Sequence, residues 1–316
     1  MPNNEIEKAV AILRAGGLVA FPTETVYGLG ADASNPDAVK KIFVVKGRPQ
    51  NHPLIVHLPD ASHLAHWARE IPIAAHRLGK RFWPGPLTLI LRRAENVPDV
   101  LTAGQDTVGL RVPAHPVAHA LLQAFGGGIA APSANRFGRV SPTTAEHVRT
   151  DLGEQVDMVL DGGPCDIGIE STIVDLTGSR FALLRPGNIS ASDIEEVLGI
   201  PLAKPGSSSP RAPGMLAVHY APQTPLRVVS GKSLAQEIYR LTAQGKHVAV
   251  LAYHHAPIAD AHIAWFAAPP QESGYARDLY ANVRLLDQSG CDVILVEQVP
   301  EKWEAVRDRL AKAAAS

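Results

Sequence analysis

The sequence contains little cysteine. Only Cys165 and Cys291 occur among its 316 residues, and neither belongs to a C-x-x-C motif. Two isolated cysteines exclude a disulfide framework and a zinc site built on paired cysteines. We therefore expect a protein of a reducing compartment.

Long apolar runs and an excess of charge of either sign are also lacking. No run approaches the ~18 residues of a membrane span, and the polar, acidic N-terminus Met1–Lys8 does not resemble a signal peptide. The formal net charge is −1, so no global field draws the chain to nucleic acid or to an anionic membrane. The sequence predicts a cytoplasmic protein with no membrane association.

What is present is an alternation of β-rich runs with helical patterns. In the first two-thirds of the chain this alternation is typical of an α/β domain, with strands predicted at 18–21, 53–58, 87–91, 107–112 and 173–176. Strands at 226–229, 247–251 and 293–296 alternate with helices at about 234–243 and 275–287 and with a terminal helix. This second pattern predicts a small parallel α/β domain.

A segment between these two regions cannot sustain a helix or a central strand. Residues 201–222 contain five prolines among glycines and the serines at 207–209. We therefore predict one domain over residues 1–200, a linker over 201–222 and a second domain over 223–316.

Lys46 and Arg48 stand two residues apart on a predicted loop at the end of a helix. A lysine–arginine pair is usually a solvated surface feature. Here Gly47 and Pro49 restrain the backbone around the two cations, which a merely solvated pair does not need. Lysine supplies a point charge and arginine a planar fork suited to phosphate oxygens. We predict that this loop meets the polar loop 133–135 to bind phosphates.

Arg111 falls inside the predicted strand 107–112, where an unpaired charge would be costly. It therefore needs an anionic partner, and an internal carboxylate and a ligand carboxylate are equal alternatives. The loop Pro22–Gly28 clusters hydroxyls around Glu24, which fits either a grip on a small polar molecule or a capped turn.

Seven segments in this order resemble the threonylcarbamoyl-AMP synthases of the YrdC/Sua5 family: Pro22–Leu29, Lys46–Pro49, Pro53–His57, Trp83–Thr88, Gly109–Pro113, Ala131–Asn135 and Ser171–Ile173. The later segments Arg211–Met215 and His219–Pro225, followed by an α/β domain, resemble the two-domain Sua5 form. The resemblance implies a YrdC-like twisted, open, mixed sheet with a concave active-site face in the first domain. It also implies a small Rossmann-like C-terminal domain and a linker that crosses the active site.

The reaction that the resemblance implies is nucleotidyl transfer. L-threonine, bicarbonate or CO2, and ATP become threonylcarbamoyl-AMP and pyrophosphate, and separate proteins then transfer the threonylcarbamoyl group to tRNA, giving N6-threonylcarbamoyladenosine. Mg²⁺ is expected mainly on the phosphates of ATP, with no protein ligand that can be named.

The resemblance also assigns residues by position. The family's phosphate-binding tetrad matches Lys46, Arg48, Ser133 and Asn135. Its ATP contacts match Arg48, His52, Thr107, Ser133, Ser141, Arg185 and Tyr220. Its threonine pocket matches Thr25, His57, Arg111, Ala131 and Ser171, which would give Arg111 the substrate carboxylate as its anion.

Two other functions remain as alternatives at this point. A double-stranded RNA or tRNA binder without chemistry would grip phosphates with a basic face, and weak RNA binding is compatible with the enzyme as well. Carbamoyl transfer in hydrogenase maturation uses a similar domain inside chains with cysteine-rich zinc fingers, which two isolated cysteines exclude here.

Overall fold

The computed structural model describes residues 3–206, 209–254, 258 and 260–315. They form two compact units. The first comprises Met1–Phe137, Pro142–Asp166 and Glu170–Met215, and the second comprises Gly138–Ser141, Ile167–Ile169 and Leu216–Ser316. Of the predicted linker, residues up to 215 therefore belong to the first unit and the rest to the second, while 207 and 208 lie outside the described residues.

The first unit is built from short strands and helices. Its strands are β1 (Val19–Phe21), β2 (Gly28–Asp32), β3 (Ile55–His57), β4 (Ala68–Arg69), β5 (Leu87–Arg93), β6 (Thr107–Arg111), β7 (Ile129–Ala130), β8 (Met158–Val159), β9 (Thr172–Asp175) and β10 (Ala182–Arg185). Its α-helices are α1 (Asn3–Arg14), α2 (Pro36–Lys46), α3 (Leu64–Trp67), α4 (Ile73–Phe82), α5 (Asp99–Thr102), α6 (Pro116–Phe125), α7 (Ala145–Leu152) and α8 (Ala191–Leu198).

These strands form one mixed sheet. Its order is β10-β9-β5-β6-β3-β7-β2-β1-β8, and β4 pairs with β5 outside that path. Strand β3 runs parallel to β6 and antiparallel to β7, so the centre of the sheet mixes both directions. The predicted mixed α/β sheet is confirmed.

The residues that flank helix α2 explain where it begins and ends. The side chain of Asn35 accepts hydrogen bonds from the N–H groups of Asp37 and Ala38, which satisfies donors at the N-terminus. Gly47 has φ 61° and terminates the helix in the left-handed conformation that glycine adopts without strain. Lys46 is therefore the last helical residue and does not lie on the extended loop we predicted.

Strand β2 has no counterpart in the sequence prediction, because its residues Gly-Leu-Gly-Ala-Asp have low strand propensity. A Cβ atom on Gly30 would lie 2.8 Å from the ring of Phe21 and 2.9 Å from the side chain of Ile129. Glycine at this position is thus required for β2 to lie between β1 and β7. The formation of β2 therefore depends on tertiary packing and not on local strand propensity.

The second unit contains a smaller sheet with helices. Its elements are β11 (Leu226–Val229), α9 (Gly231–Thr242), β12 (Val248–Ala252), β13 (Ile263–Ala267), α10 (Glu272–Asp287), β14 (Val293–Glu297) and α11 (Glu304–Ala314). All pairs in the order β11-β14-β12-β13 are parallel, which confirms the predicted parallel α/β domain. Strand β13 was not predicted. None of the helices in the described ranges is both long and apolar enough to cross a bilayer.

Candidate active site

The two loops predicted to bind phosphates lie together in the first unit. The ammonium group of Lys46 donates hydrogen bonds to the main-chain carbonyls of Ser133 and Asn135. The N–H of Phe137 donates to the carbonyl of Lys46 at 2.8 Å. The end of α2 therefore fastens the loop that follows β7.

Lys46 is buried, with 2% of its surface exposed. Burial, and then the charge of Arg48, lower the pKa of its ammonium group well below the usual range. Among the described residues, no carboxylate forms a salt bridge with it. The charge of Asp151 acts in the opposite direction. An ammonium group whose direct hydrogen bonds all go to carbonyl oxygens gains strongly from an added anion.

The polar side chains of Ser133 and Asn135 differ in their hydrogen bonding. The hydroxyl of half-buried Ser133 makes no hydrogen bond within the described part of the chain, so it can serve a ligand. Asn135 is buried, and its amide Nδ2 donates to the carbonyl of Arg136 at 2.8 Å, which fixes the turn of the loop.

Arg48 and His52 flank one aromatic ring. Arg48 donates to the carbonyl of Pro53 at 3.0 Å, and its guanidinium carbon lies 5.5 Å from the ring centroid of Phe137. The ring of His52 lies 5.3 Å from the same centroid. Burial, and then the charges of Arg48 and Arg211, lower the pKa of His52, which favours the neutral imidazole. Sequence reasoning missed Phe137, since a single aromatic residue in a loop carries no distinctive signal.

Arg111 has the internal carboxylate that was one of the two alternatives for its partner. Its Nη2 forms a buried ion pair with Glu24 at 2.7 Å. Its Nη1 donates to Thr25 Oγ1 at 3.0 Å, and its Nε donates to the carbonyl of Gly85 at 3.2 Å. These bonds use three of the five N–H donors of the guanidinium group. One N–H on each terminal nitrogen is left for a ligand.

The hydroxyl proton of Thr25 has a defined direction. Thr23 Oγ1 lies 2.7 Å from the carbonyl of Val26, and a carbonyl only accepts, so the Thr23 proton points there. Thr23 and Thr25 share a further hydrogen bond of 2.8 Å between their hydroxyls, for which Thr25 must then be the donor. Thr25 Oγ1 accepts from Arg111 on its other side. Toward a ligand, Thr25 is therefore an acceptor only.

His57 lies beside Arg111 in the sheet, because β3 and β6 pair the two residues in register. It is 4% exposed, and its Nδ1 has no hydrogen-bond partner among the described residues. Burial, and then the charge of Arg111, lower its pKa to about 3, so the ring is neutral at pH 7. Ala131, also buried, follows β7 and is held by a 3.0 Å bond from its N–H to the carbonyl of Ile55.

Ser171, a predicted threonine-pocket residue, is hydrogen-bonded to Arg185, a predicted ATP contact. Arg185 Nη2 donates to Ser171 Oγ at 3.1 Å, and Arg185 Nε donates to the Ser171 carbonyl at 3.0 Å. The hydroxyl of Thr88 lies 2.8 Å from Ser171 Oγ. Thr88 belongs to the Trp83–Thr88 segment, but nothing in the sequence indicated this contact. Arg185 also donates to the carbonyl of Pro213 at 3.0 Å.

Thr107, the first residue of β6, is half-buried beside the middle of the predicted linker. The N–H of Arg211 donates to Gln105 Oε1 at 2.7 Å, and its side chain donates to the carbonyl of Ala103 at 3.0 Å. Thr107, Arg211 and Pro213 line a small cleft. Within the first unit, Arg211 and Pro213 therefore lie close to the start of β6.

Two of the assigned ATP contacts belong to the second unit. Ser141 is fully buried there. Tyr220 is 1% exposed, with φ 62°, and its ring stacks on Tyr280 at 5.7 Å between centroids. The guanidinium carbon of Arg309 lies 5.3 Å from the centre of the Tyr220 ring. The assignment of Ser141 and Tyr220 to ATP rests on the sequence resemblance alone.

The site is rich in cations and offers little to a metal ion. In the described ranges, no group of three or more His, Cys, Asp or Glu side chains is arranged to hold one. Both cysteines are free thiols, and burial raises the pKa of Cys165. A divalent ion at this site would need ligands from a bound substrate.

Comparison with known proteins identifies both parts of the chain. Residues 11–187 match the Sua5/YciO/YrdC family model, described as "Telomere recombination". Residues 189–315 match a model described as "Threonylcarbamoyl-AMP synthase, C-terminal domain". The chain is 44% identical to the threonylcarbamoyl-AMP synthase of Pyrococcus abyssi, over 98% of this chain and 94% of that one. It is 43% identical to the Bacillus subtilis enzyme of that name, over 98% and 93%.

A solved structure supports the same conclusion. The crystal structure of P. abyssi Sua5 complexed with L-threonine superposes with a TM-score of 0.93 at 42% identity, covering 99% of this chain and 95% of that chain. This similarity confirms the predicted fold class. The chain belongs to the Sua5/YrdC family of threonylcarbamoyl-AMP synthases.

Proposed function

We propose that this protein is an L-threonylcarbamoyladenylate synthase for the N6-threonylcarbamoyladenosine modification of tRNA. Its substrates would be L-threonine, bicarbonate or CO2, and ATP, and its products threonylcarbamoyl-AMP and pyrophosphate. The shared family and the L-threonine bound to a relative support an enzyme of this kind over an RNA-binding module without chemistry.

One observation supports the proposal: the cationic group of Lys46 and the polar groups around Arg111 are both connected to the loop that follows β7. Ala131 donates its N–H to Ile55, two residues before His57 on β3, and Ser133 and Asn135 follow in the loop that Lys46 binds. A substrate held at Arg111 would thus lie next to phosphates held at Lys46.

The chemistry needs positioning more than proton transfer. The neutral threonine amine adds to CO2 and releases a proton to solvent, which gives a carbamate. A carbamate oxygen then displaces pyrophosphate in line at the α-phosphorus of ATP, forming the new P–O bond as the bond to the β-phosphate oxygen breaks. Arg111 would bind the threonine carboxylate with its two remaining N–H groups, and Thr25 would accept a hydrogen bond from the substrate. Lys46, Arg48 and Ser133 would stabilise charge on the phosphates.

The class of reaction would be nucleotidyl transfer, because AMP passes to the carbamate. Mg²⁺ would arrive with ATP and be held mainly by its phosphate oxygens. His52, Thr107 and Arg185 would contact the nucleotide, as would Ser141 and Tyr220 by resemblance. A cytoplasmic location agrees with the two free thiols, and the product would pass to proteins that modify tRNA.

The decisive assay measures pyrophosphate release from ATP while L-threonine and bicarbonate are each present or omitted. We expect release to require both. Release that is independent of threonine would reject the proposed function. Lys46→Ala and Arg48→Ala should each lower turnover by at least about 100-fold, since each removes charge stabilisation at the phosphates. Lys41→Ala, an exposed lysine on the same helix, is the matched control.

A further inference from the structure

We infer that Glu24 is a positioning residue for L-threonine, which acts by holding Arg111 in the geometry that receives the substrate carboxylate. Glu24 is 8% exposed and carries none of the phosphate or threonine assignments above. The inference rests on the proposed function, since it requires Arg111 to bind threonine.

The carboxylate of Glu24 connects two segments of the first unit. Oε1 accepts from Arg111 Nη2 at 2.7 Å, and Oε2 accepts from the N–H of Ala114 at 3.1 Å. Ala114 lies between the end of β6 and the start of α6. Both carboxylate oxygens are therefore committed to the strand that carries Arg111 and to the loop directly after it.

Arg111 is oriented from two sides by a single loop. Glu24 holds one terminal nitrogen and Thr25 holds the other, at 2.7 and 3.0 Å. With Nε bonded to Gly85, the plane of the guanidinium group is fixed at three points. This arrangement leaves one N–H on each terminal nitrogen, the number that a two-point contact with a carboxylate requires.

The charge of Glu24 matters as well as its shape. A buried guanidinium without a counterion would be costly, and it would attract any small anion. With Glu24 in place the Arg111–Glu24 pair carries no net charge. A zwitterionic amino acid is then bound by hydrogen-bond geometry, and simple anions such as phosphate gain little.

The test compares Glu24→Gln and Glu24→Asp with the wild type in the threonine-dependent pyrophosphate assay. Both Arg111 Nη2 and the N–H of Ala114 donate to Glu24, but the side chain of glutamine has a single acceptor oxygen. Its NH2 group would therefore face one of these donors. We expect Glu24→Gln to raise the KM for L-threonine at least about 10-fold, with the KM for ATP changed less than about 2-fold. Glu24→Asp keeps the charge, so its KM for L-threonine should lie between those of the wild type and Glu24→Gln.

L-threoninamide separates positioning from general damage, because it lacks the carboxylate that Arg111 would bind. Glu24→Gln should leave its KM within about 2-fold of the wild-type value. Asp175→Asn removes another buried carboxylate of the first unit, one bonded to Thr177, and should leave the threonine KM unchanged.

Several outcomes would overturn the inference. One is an unchanged threonine KM in Glu24→Gln; another is an equal rise for threonine and threoninamide. If Glu24→Gln does not fold, the inference is overturned when Glu24→Asp has the same KM for L-threonine as the wild type. Failure of the proposed function is distinguishable, because wild-type release would then not depend on threonine or Arg111→Ala would not raise the threonine KM.

Discussion

Replacing Lys46 by methionine should change how the stability of the unliganded protein depends on pH. In the folded protein the pKa of this ammonium lies well below its ordinary value of 10.5, chiefly because of burial. Between the lowered pKa and 10.5, the unfolded chain binds a proton that the folded chain does not. The free energy of unfolding therefore rises with pH in this window, and it falls as pH drops toward the lowered pKa.

The size of the effect follows from proton linkage. One proton bound only by the unfolded chain gives a slope of about 1.4 kcal/mol per pH unit. Within the window between the lowered pKa and 10.5, the wild type should gain up to about 1.4 kcal/mol per pH unit relative to Lys46→Met, whose side chain does not titrate. The two carbonyls that lose their donor change the absolute stability of the variant at every pH and leave this slope intact.

Denaturant titrations at several pH values between 7 and 9.5 measure this difference. Lys41→Met is the matched control, because Lys41 is exposed on the same helix and donates to the carbonyl of Gly16. We expect the control to run parallel to the wild type. Parallel curves for Lys46→Met would refute the reasoning, since they would mean that the buried ammonium keeps its ordinary pKa.

Three further perturbations probe the amino-acid subsite. Arg111→Ala should raise the KM for L-threonine by at least about 10-fold with a smaller change for ATP; initial rates with unchanged threonine dependence would exclude a carboxylate at this position. Thr23→Val removes the acceptor for the Thr25 proton and should cost about 1–2 kcal/mol of stability in urea unfolding, whereas no loss would refute the deduced proton direction. Because the pKa of His57 is lowered to about 3, its titration should add no inflection to kcat/KM for threonine between pH 5 and 8, and an inflection that His57→Asn abolishes would contradict this.

The parts of the fold that follow from sequence are those with strong local signals. Helix α2 is signalled by its N-cap Asn35 and its terminating Gly47, and the apolar strands β5 and β6 by β-rich runs. Strand β2 carries no such signal, because Gly30 is there for the close approach of Phe21 and Ile129. That contact exists only once distant segments have assembled.

The site divides in the same way. The sequence indicates Lys46, Arg48 and Arg111 because charge beside restrained backbone or inside a strand demands a partner. It does not say which partner, and Glu24, 87 residues away along the chain, answers that question for Arg111. The contact of Phe137 with Arg48 likewise depends on how the loop after β7 returns to the end of α2.

The buried basic residues Arg111 and Lys46 of the first unit have different hydrogen-bond partners. Arg111 has a carboxylate at 2.7 Å and forms a neutral pair, whereas Lys46 donates to two main-chain carbonyls and, within the described residues, has no carboxylate in salt-bridge contact. A compensated cation selects ligands by geometry, and an uncompensated one selects them by charge. Threonine is a zwitterion and the phosphates of ATP are strongly anionic, so an enzyme that takes both substrates, as proposed here, would need both kinds of subsite. Under the proposed function, exchanging the two environments would let phosphate bind at Arg111, and we expect Glu24 to prevent this.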